Sequence, residues 1–277
     1  MNSTLKFQLD LEYLNHLVLT HRSEYVQAAP FPHAVIDDFL PPALLESVLH
    51  EFPKVNSVQW QAFENASEKK LASTHELQMG ELTRFLLYQL NSSTFLTFLE
   101  QLTGIDGLIP DPHFVGGGLH QIERGGYLKM HVDFNRYERL KLDRRLNLLI
   151  YLNQNWSEEY GGHLELWDQD MTRCEKNILP IFNRCVIFST TDFSYHGHPE
   201  PLTCPEDTTR KSLALYYYSN GRPTIEVGAA HSTIFRERPG LESLPLLEAK
   251  RSRKERIKRF IPPILIDHWH EFKNKER

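Results

Sequence analysis

The stretch "KMHVDFN", residues 129–135, sets His131 and Asp133 two positions apart in a run that is otherwise largely apolar. On a β-strand that spacing turns both side chains to one face, so an imidazole and a carboxylate share one small volume. Two arrangements are open: Lys129, His131 and Asp133 inward, or Leu128, Met130, Val132 and Phe134 inward with the polar pair in water. Downstream, "SYHGHPEPL" offers His196 and His198. Two imidazoles and one carboxylate make a three-ligand site for a divalent metal and leave positions open to reactants. Neutral imidazole suits iron, and a single carboxylate lowers the net charge without closing the site.

An iron of this kind needs electrons to split O2. A 2-oxo acid such as 2-oxoglutarate supplies them, chelating the metal at one end while its distal carboxylate is held elsewhere. That carboxylate calls for a bidentate cation, which favours arginine over lysine. In "TRKSLALYYY" Arg210 and Ser212 lie two apart on one face of an apolar strand, and Lys211 points the other way.

H-x-D, then a histidine, then R-x-S, in this order within a β-rich segment, resembles the 2-oxoglutarate- and Fe(II)-dependent dioxygenases. The likeness is greatest to the prolyl 4-hydroxylase-like branch, through "RGGYLKMHVDFN", "LNLLIYLNQNWSEEYGGHLELWD" and "SYHGH…RKSLALYYYSNGRP". It spans roughly residues 115 to 223, and "FPHAVIDDFLPPALLESVLHEF" is similar to the lead-in of such enzymes. The resemblance implies that His131, Asp133 and His196 bind Fe(II). His196 is preferred to His198 because it follows an aromatic residue and precedes a short proline-containing turn; strand parity does not separate the two. By the same resemblance Arg210 and Ser212 hold the distal carboxylate of 2-oxoglutarate, assisted by Tyr151 and Asn147. The branch often has a tyrosine nine or ten residues before the first iron ligand. Here those positions are Gln121 and Ile122, so Gln121 is the expected substitute. With Asp133 present, hydroxylation is favoured over halogenation. The implied reaction hydroxylates an unactivated C–H bond while 2-oxoglutarate becomes succinate and CO2, with O2 as oxidant and ascorbate as a stimulant. The alternative is a non-catalytic or sensory jelly roll that binds metal and ligand and uses a basic tail to engage a partner.

The elements that must position these residues are short. From residue 113 to about 228, β-type runs alternate with glycine, proline and asparagine turns, which argues for an antiparallel sandwich or barrel rather than βαβ units. Residues 1–110 read as mainly helical around a short strand, "HAVID", with Pro41-Pro42 opening one helix and Gly104 closing a run that begins at Glu81. The expected fold is α+β, a double-stranded β-helix core at 111–230 flanked by N-terminal helices (1–110) and a C-terminal helical tail (231–277), together one compact catalytic domain. The triple glycine at 116–118 lacks a following Lys-Ser/Thr and reads as a bulge or tight turn.

At 277 residues, with 40% hydrophobic and 24% charged residues, the chain can bury a full core. A net charge of -5 gives no global reason to expect a nucleic-acid partner. Three cysteines without a CxxC pair fit a reducing compartment, and the N-terminus lacks the unbroken apolar core of a signal peptide. With no apolar stretch of membrane-spanning length, the expectation is a soluble cytoplasmic protein. The loop "NRYERLKLDRRL" follows the H-x-D strand, and Asn135, Arg136 and Arg139 are candidates to meet the substrate, which the resemblance allows to be a protein side chain, an amino acid or a small metabolite. In the tail, seven of ten residues from Lys250 to Arg259 are basic. "FIPPILIDHWHEF" behind them could dock onto the barrel or onto a second copy as a homodimer.

Overall fold

The structure, a computed structural model, describes residues 9–239. The basic run and the apolar stretch behind it lie outside the described residues, as does the rest of the expected 231–277 tail beyond 239.

Four α-helices lie in the N-terminal part of the chain, interleaved with strands: α1 (Leu11–Gln27), α2 (Pro42–Glu51), α3 (Glu81–Leu90) and α4 (Ser93–Thr103). The Asp10 carboxylate accepts the backbone N–H groups of Glu12 and Tyr13, capping α1. Proline stands in the first turn of α2, where a missing N–H costs nothing. The helical run expected from Glu81 to Gly104 is two helices, because the Ser92 hydroxyl accepts from Phe95 N–H and starts a new one. Gly104, at φ 73°, ends α4 in the left-handed conformation that glycine adopts without strain.

The strands are β1 (His33–Ile36), β2 (Gln61–Glu64), β3 (Glu68–Ser73), β4 (Ile109–Pro110), β5 (Gly118–Ile122), β6 (Tyr127–Val132), β7 (Arg136–Tyr137), β8 (Leu142–Tyr151), β9 (Leu164–Trp167), β10 (Cys174–Ile178), β11 (Cys185–Ser189), β12 (His196–His198), β13 (Arg210–Ser219) and β14 (Ile234–Phe235). They pair antiparallel in the order β1-β11-β8-β13-β5-β3-β6-β12-β9-β10. The first five make one wall of a jelly roll, β6-β12-β9-β10 make the other, and β3 bridges them. The mainly helical reading of residues 1–110 therefore misses β2 and β3. "QAFE" and "EKKLAS" are polar and largely exposed, so no apolar alternation marks them as strands.

Period-two alternation along β8 divides the core. Leu146, Leu148 and Ile150 face the helices, packing with Leu44, Leu86 and Phe95. Tyr151 and Leu149 face the barrel interior with Phe31, Leu166 and Phe188. The interior is thus walled by apolar strands on both sides, and the polar residues left inside it stand out.

In β6 the alternation breaks. His131 pairs with His196, but Leu128, not Lys129, pairs with His198, a register shift that brings Leu128, His131 and Asp133 to the cavity. Lys129 is not part of the inward set, while Met130 and Val132 pack outward against Trp167, Met171 and Tyr195. Residues 234–236, expected at the start of the tail, run along β6: Ile234 pairs with Val132, Phe235 with His131, and Arg236 N–H donates to Met130 O. No helix among the described residues is long and apolar enough to cross a membrane.

Candidate active site

β6 and β12 lie side by side and bring His131, Asp133 and His196 to one end of the interior. One donor atom from each falls within 4.8 Å of the others. His131 Nε2 is 3.7 Å from Asp133 Oδ1, and His196 Nε2 is 3.4 Å from Asp133 Oδ2. Both rings are anchored from behind. His131 Nδ1 donates to Lys129 O and His196 Nδ1 to Ser194 O, each at 2.9 Å. A carbonyl can only accept, so these bonds fix the tautomers and leave the Nε2 lone pairs toward Asp133. Burial, helped by His131, pushes His196 down to about 4, so it is neutral and able to ligate near pH 7. The donor set fits a divalent iron with three open positions, as the residue types require.

Asp133 is itself held. Burial opposes its ionisation, but Arg144, His196 and His131 outweigh burial and keep the carboxyl well below the usual carboxylate range. Arg144 Nη2 lies 3.0 Å from Oδ2, and Asn147 Nδ2 donates to the same oxygen at 2.7 Å. Arg144 also donates twice to Asn147 Oδ1, at 3.0 and 2.7 Å, which closes a three-residue network. Its guanidinium is clamped between the rings of Phe134 and Tyr216, 4.5 and 3.5 Å from their centroids. The carboxamide of Asn147, expected on the co-substrate, is thus turned to the metal-side carboxylate. Arg144 carries no signal in the sequence, because a bulge in the β8–β13 pairing skips Arg145 and brings Arg144 inward against parity.

Across the same cavity stands Arg210, 5% exposed. Its Nε donates to Gly162 O at 2.8 Å and its Nη2 to Tyr151 Oη at 3.3 Å. Gly162, at φ +70°, is pressed so close to the cavity wall that an added Cβ would collide with Leu202 and crowd Arg210. Among the described residues no carboxylate pairs with Arg210. A buried guanidinium without a counter-charge is costly, so the position calls for an anion from outside the chain. Ser212, 2% exposed, lines the cavity beside it.

Gln121 is not in the cavity. It shares the outward parity of Lys211, its partner across β5–β13, and donates to Thr209 Oγ1. The β5 residues that face inward are His120, opposite Ser212, and Ile122, opposite Arg210. Burial, with Lys70 nearby, pushes His120 down to about 3. His120, Lys70 and His198 complete the polar lining; the sequence offered His198 only as the lesser alternative to His196, and His120 and Lys70 were not expected there. For His120 the signal was parity with Ser212, once the β5–β13 register is known.

The loop residues part company. Asn135 is engaged: Nδ2 donates to Ala229 O and Asp192 Oδ1, and Oδ1 accepts His231 N–H. It ties down the segment that runs along β6, so the expectation that it faces a substrate is revised. Arg136 lines a groove beside Phe134 and Tyr137. Arg139 is exposed in the turn before β8.

Residues 117–218 match the model of the 2OG-Fe(II) oxygenase superfamily. A 79-residue stretch is 32% identical to mouse prolyl 3-hydroxylase OGFOD1, covering 27% of this chain and only 14% of that protein. A Pseudomonas putida prolyl-4-hydroxylase superposes with a TM-score of 0.51 at 16% identity, over 76% of this chain and all of the other. A Trichoplax adhaerens prolyl hydroxylase, solved with a peptide fragment of the oxygen degradation domain of hypoxia inducible factor, gives 0.52 at 18% identity, over 76% of this chain and 92% of the other. The two structures establish the shared fold.

Proposed function

We propose that this chain, which belongs to the 2-oxoglutarate- and Fe(II)-dependent oxygenase superfamily and has the fold of its prolyl hydroxylases, hydroxylates an unactivated C–H bond with 2-oxoglutarate as co-substrate. One observation carries the reading: a His-Asp-His cluster and a buried arginine that has no carboxylate partner among the described residues line the same cavity. His131, Asp133 and His196 would hold the iron. Arg210, with Tyr151 and Ser212, would take the distal carboxylate. Bound there, iron and 2-oxoglutarate supply the oxidising power that puts one atom of O2 into the substrate and the other into succinate.

The chain's own part is positioning. The carbonyls of Lys129 and Ser194 set the two imidazoles, Arg144 and Asn147 set the carboxylate, and Phe188 packs edge-on against His196 at 4.7 Å. His131, Arg144, His196 and Arg210 are buried, which strengthens the charge interactions among them. A largely apolar groove of about 410 Å³, lined by Phe134, the chain neighbour of Asp133, with Val115 and Tyr137 and with Arg136 and Glu138 at its rim, is a candidate surface for the substrate. The mouse relative's name and the peptide in the Trichoplax structure support a peptidyl prolyl side chain as the first substrate to try, with other amino-acid side chains and small metabolites after it.

The test is succinate formation from 2-oxoglutarate under Fe(II) and air, with Asp133→Ala as control. Turnover lost in the variant is the expected result. A purified protein that binds neither iron nor 2-oxoglutarate would overturn the reading.

A further inference from the structure

His198 follows His196 by two positions, so both rings turn to the cavity. Gly197 between them lets β12 lie hard against β6: a Cβ there would sit 2.8 Å from the carbonyl oxygens of Leu128 and Lys129. The two histidines differ behind the ring. His196 is anchored through Nδ1, whereas neither nitrogen of His198 has a hydrogen-bond partner among the described residues, although the residue is only 4% exposed. Nor does His198 belong to the cluster whose donor atoms converge. Buried polar atoms are nearly always satisfied, so two orphaned nitrogens in a cavity wall mark a contact for whatever fills the cavity. An imidazole has at least one N–H to donate, and His198 lines the same cavity as Arg210 and Ser212, where Arg210 is the group that calls for an anion.

We propose that His198 donates a hydrogen bond to the distal carboxylate of the co-substrate, sharing it with Arg210, and so sets affinity for dicarboxylic 2-oxo acids. This rests on the reading of the cavity as the 2-oxoglutarate site. The residue is a binding contact, distinct from the metal ligands.

Calorimetric titration of 2-oxoglutarate into the Zn(II)-loaded protein tests it, with Zn(II) affinity measured separately and 2-oxobutyrate, which lacks the distal carboxylate, as a second titrant. His198→Leu and His198→Met should weaken 2-oxoglutarate about tenfold or more, as expected when a buried hydrogen bond to a charged group is lost. Zn(II) and 2-oxobutyrate binding should stay within about twofold, and His198→Gln, which keeps a donor, should recover most of the loss. Equal weakening of both 2-oxo acids, or loss of Zn(II), would overturn the assignment. So would wild-type affinity in both apolar variants. If the wild-type protein itself takes no 2-oxoglutarate, the underlying functional reading fails instead, and the inference with it.

Discussion

Arg144 Nη2 stands 3.0 Å from Asp133 Oδ2, and Arg144 is only 1% exposed. This buried pair orients a carboxylate that must present an oxygen toward two imidazoles. Removing one partner of such a pair leaves the other charge uncompensated, at about 3–5 kcal/mol. Arg144→Met should destabilise the metal-free protein by about that amount and weaken metal binding by about 10–100-fold, as losses behind a metal ligand do. Arg144→Lys should fail to restore it, since an ammonium cannot meet Asp133 and Asn147 together while stacked between Phe134 and Tyr216. Denaturant melts and metal titrations check both. Unchanged metal affinity in Arg144→Met would remove the positioning role.

Arg210 leads to the opposite stability outcome. Its burial, with no carboxylate partner among the described residues, is a standing cost, offset in part by bonds to Gly162 O and Tyr151 Oη. Arg210→Met should leave the ligand-free protein as stable as the wild type or more so, while 2-oxoglutarate binding falls by about two orders of magnitude. Thermal melts with and without 2-oxoglutarate separate the two effects: the wild type gains stability on adding the ligand and the variant does not. A marked drop in ligand-free stability would mean that Arg210 serves the fold.

Asn135 joins three backbone or side-chain partners around residues 229–231 and Asp192, where the His231 ring also meets Asp192 at 2.9 Å. Asn135→Ala should cost about 1–2 kcal/mol, the usual range for partly buried hydrogen bonds. It should also raise amide exchange across 229–236 and leave 2-oxoglutarate affinity unaltered. A variant whose exchange matches the wild type, with a raised KM for a hydroxylation substrate, would return Asn135 to the role first expected from the sequence.

Legibility in the sequence followed the length over which local rules hold. The apolar runs of β8, β11 and β13 and the proline and glycine punctuation around the helices marked the barrel wall and most of its cover, while the Ser92 cap that divides α3 from α4 went unread. His131 and Asp133 were legible because two-residue spacing survives at their end of β6, and Arg210 and Ser212 because β13 is regular there. Where a register shift intervenes, parity misleads. The irregularity between β6 and β12 excluded Lys129, and the bulge at Arg145 hid Arg144. Gln121 was chosen by counting back from His131, but pairing with β13 decides which β5 residue faces Ser212, and pairing between strands far apart in sequence is not a local property. His198 was visible as a residue, yet its missing partners become apparent only when the walls around it are placed.

The cavity holds histidines, His196 and His198 buried and His120 half-buried, that folding keeps neutral, and this has a consequence for pH. Burial lowers His196 to about 4 and His120 to about 3, and it holds His198 down as well. In the unfolded chain each titrates near 6.5. Between about 6.5 and about 4 the unfolded state therefore binds more protons than the folded one, and stability rises with pH across that window. The stabilising contribution is fully present above about pH 6.5 and is lost progressively as the pH falls toward 4. Asp133, whose folded carboxyl lies well below the usual range, adds a loss of the same sign at lower pH, below about 4. For the metal-free protein the urea midpoint should drop steadily from pH 7 to pH 5. In His120→Gln, which removes one of these groups and keeps a donor able to reach Gly116 O, the slope should be shallower. A midpoint that is flat from pH 7 to pH 5 would show that these rings protonate as readily in the folded cavity as in the unfolded chain.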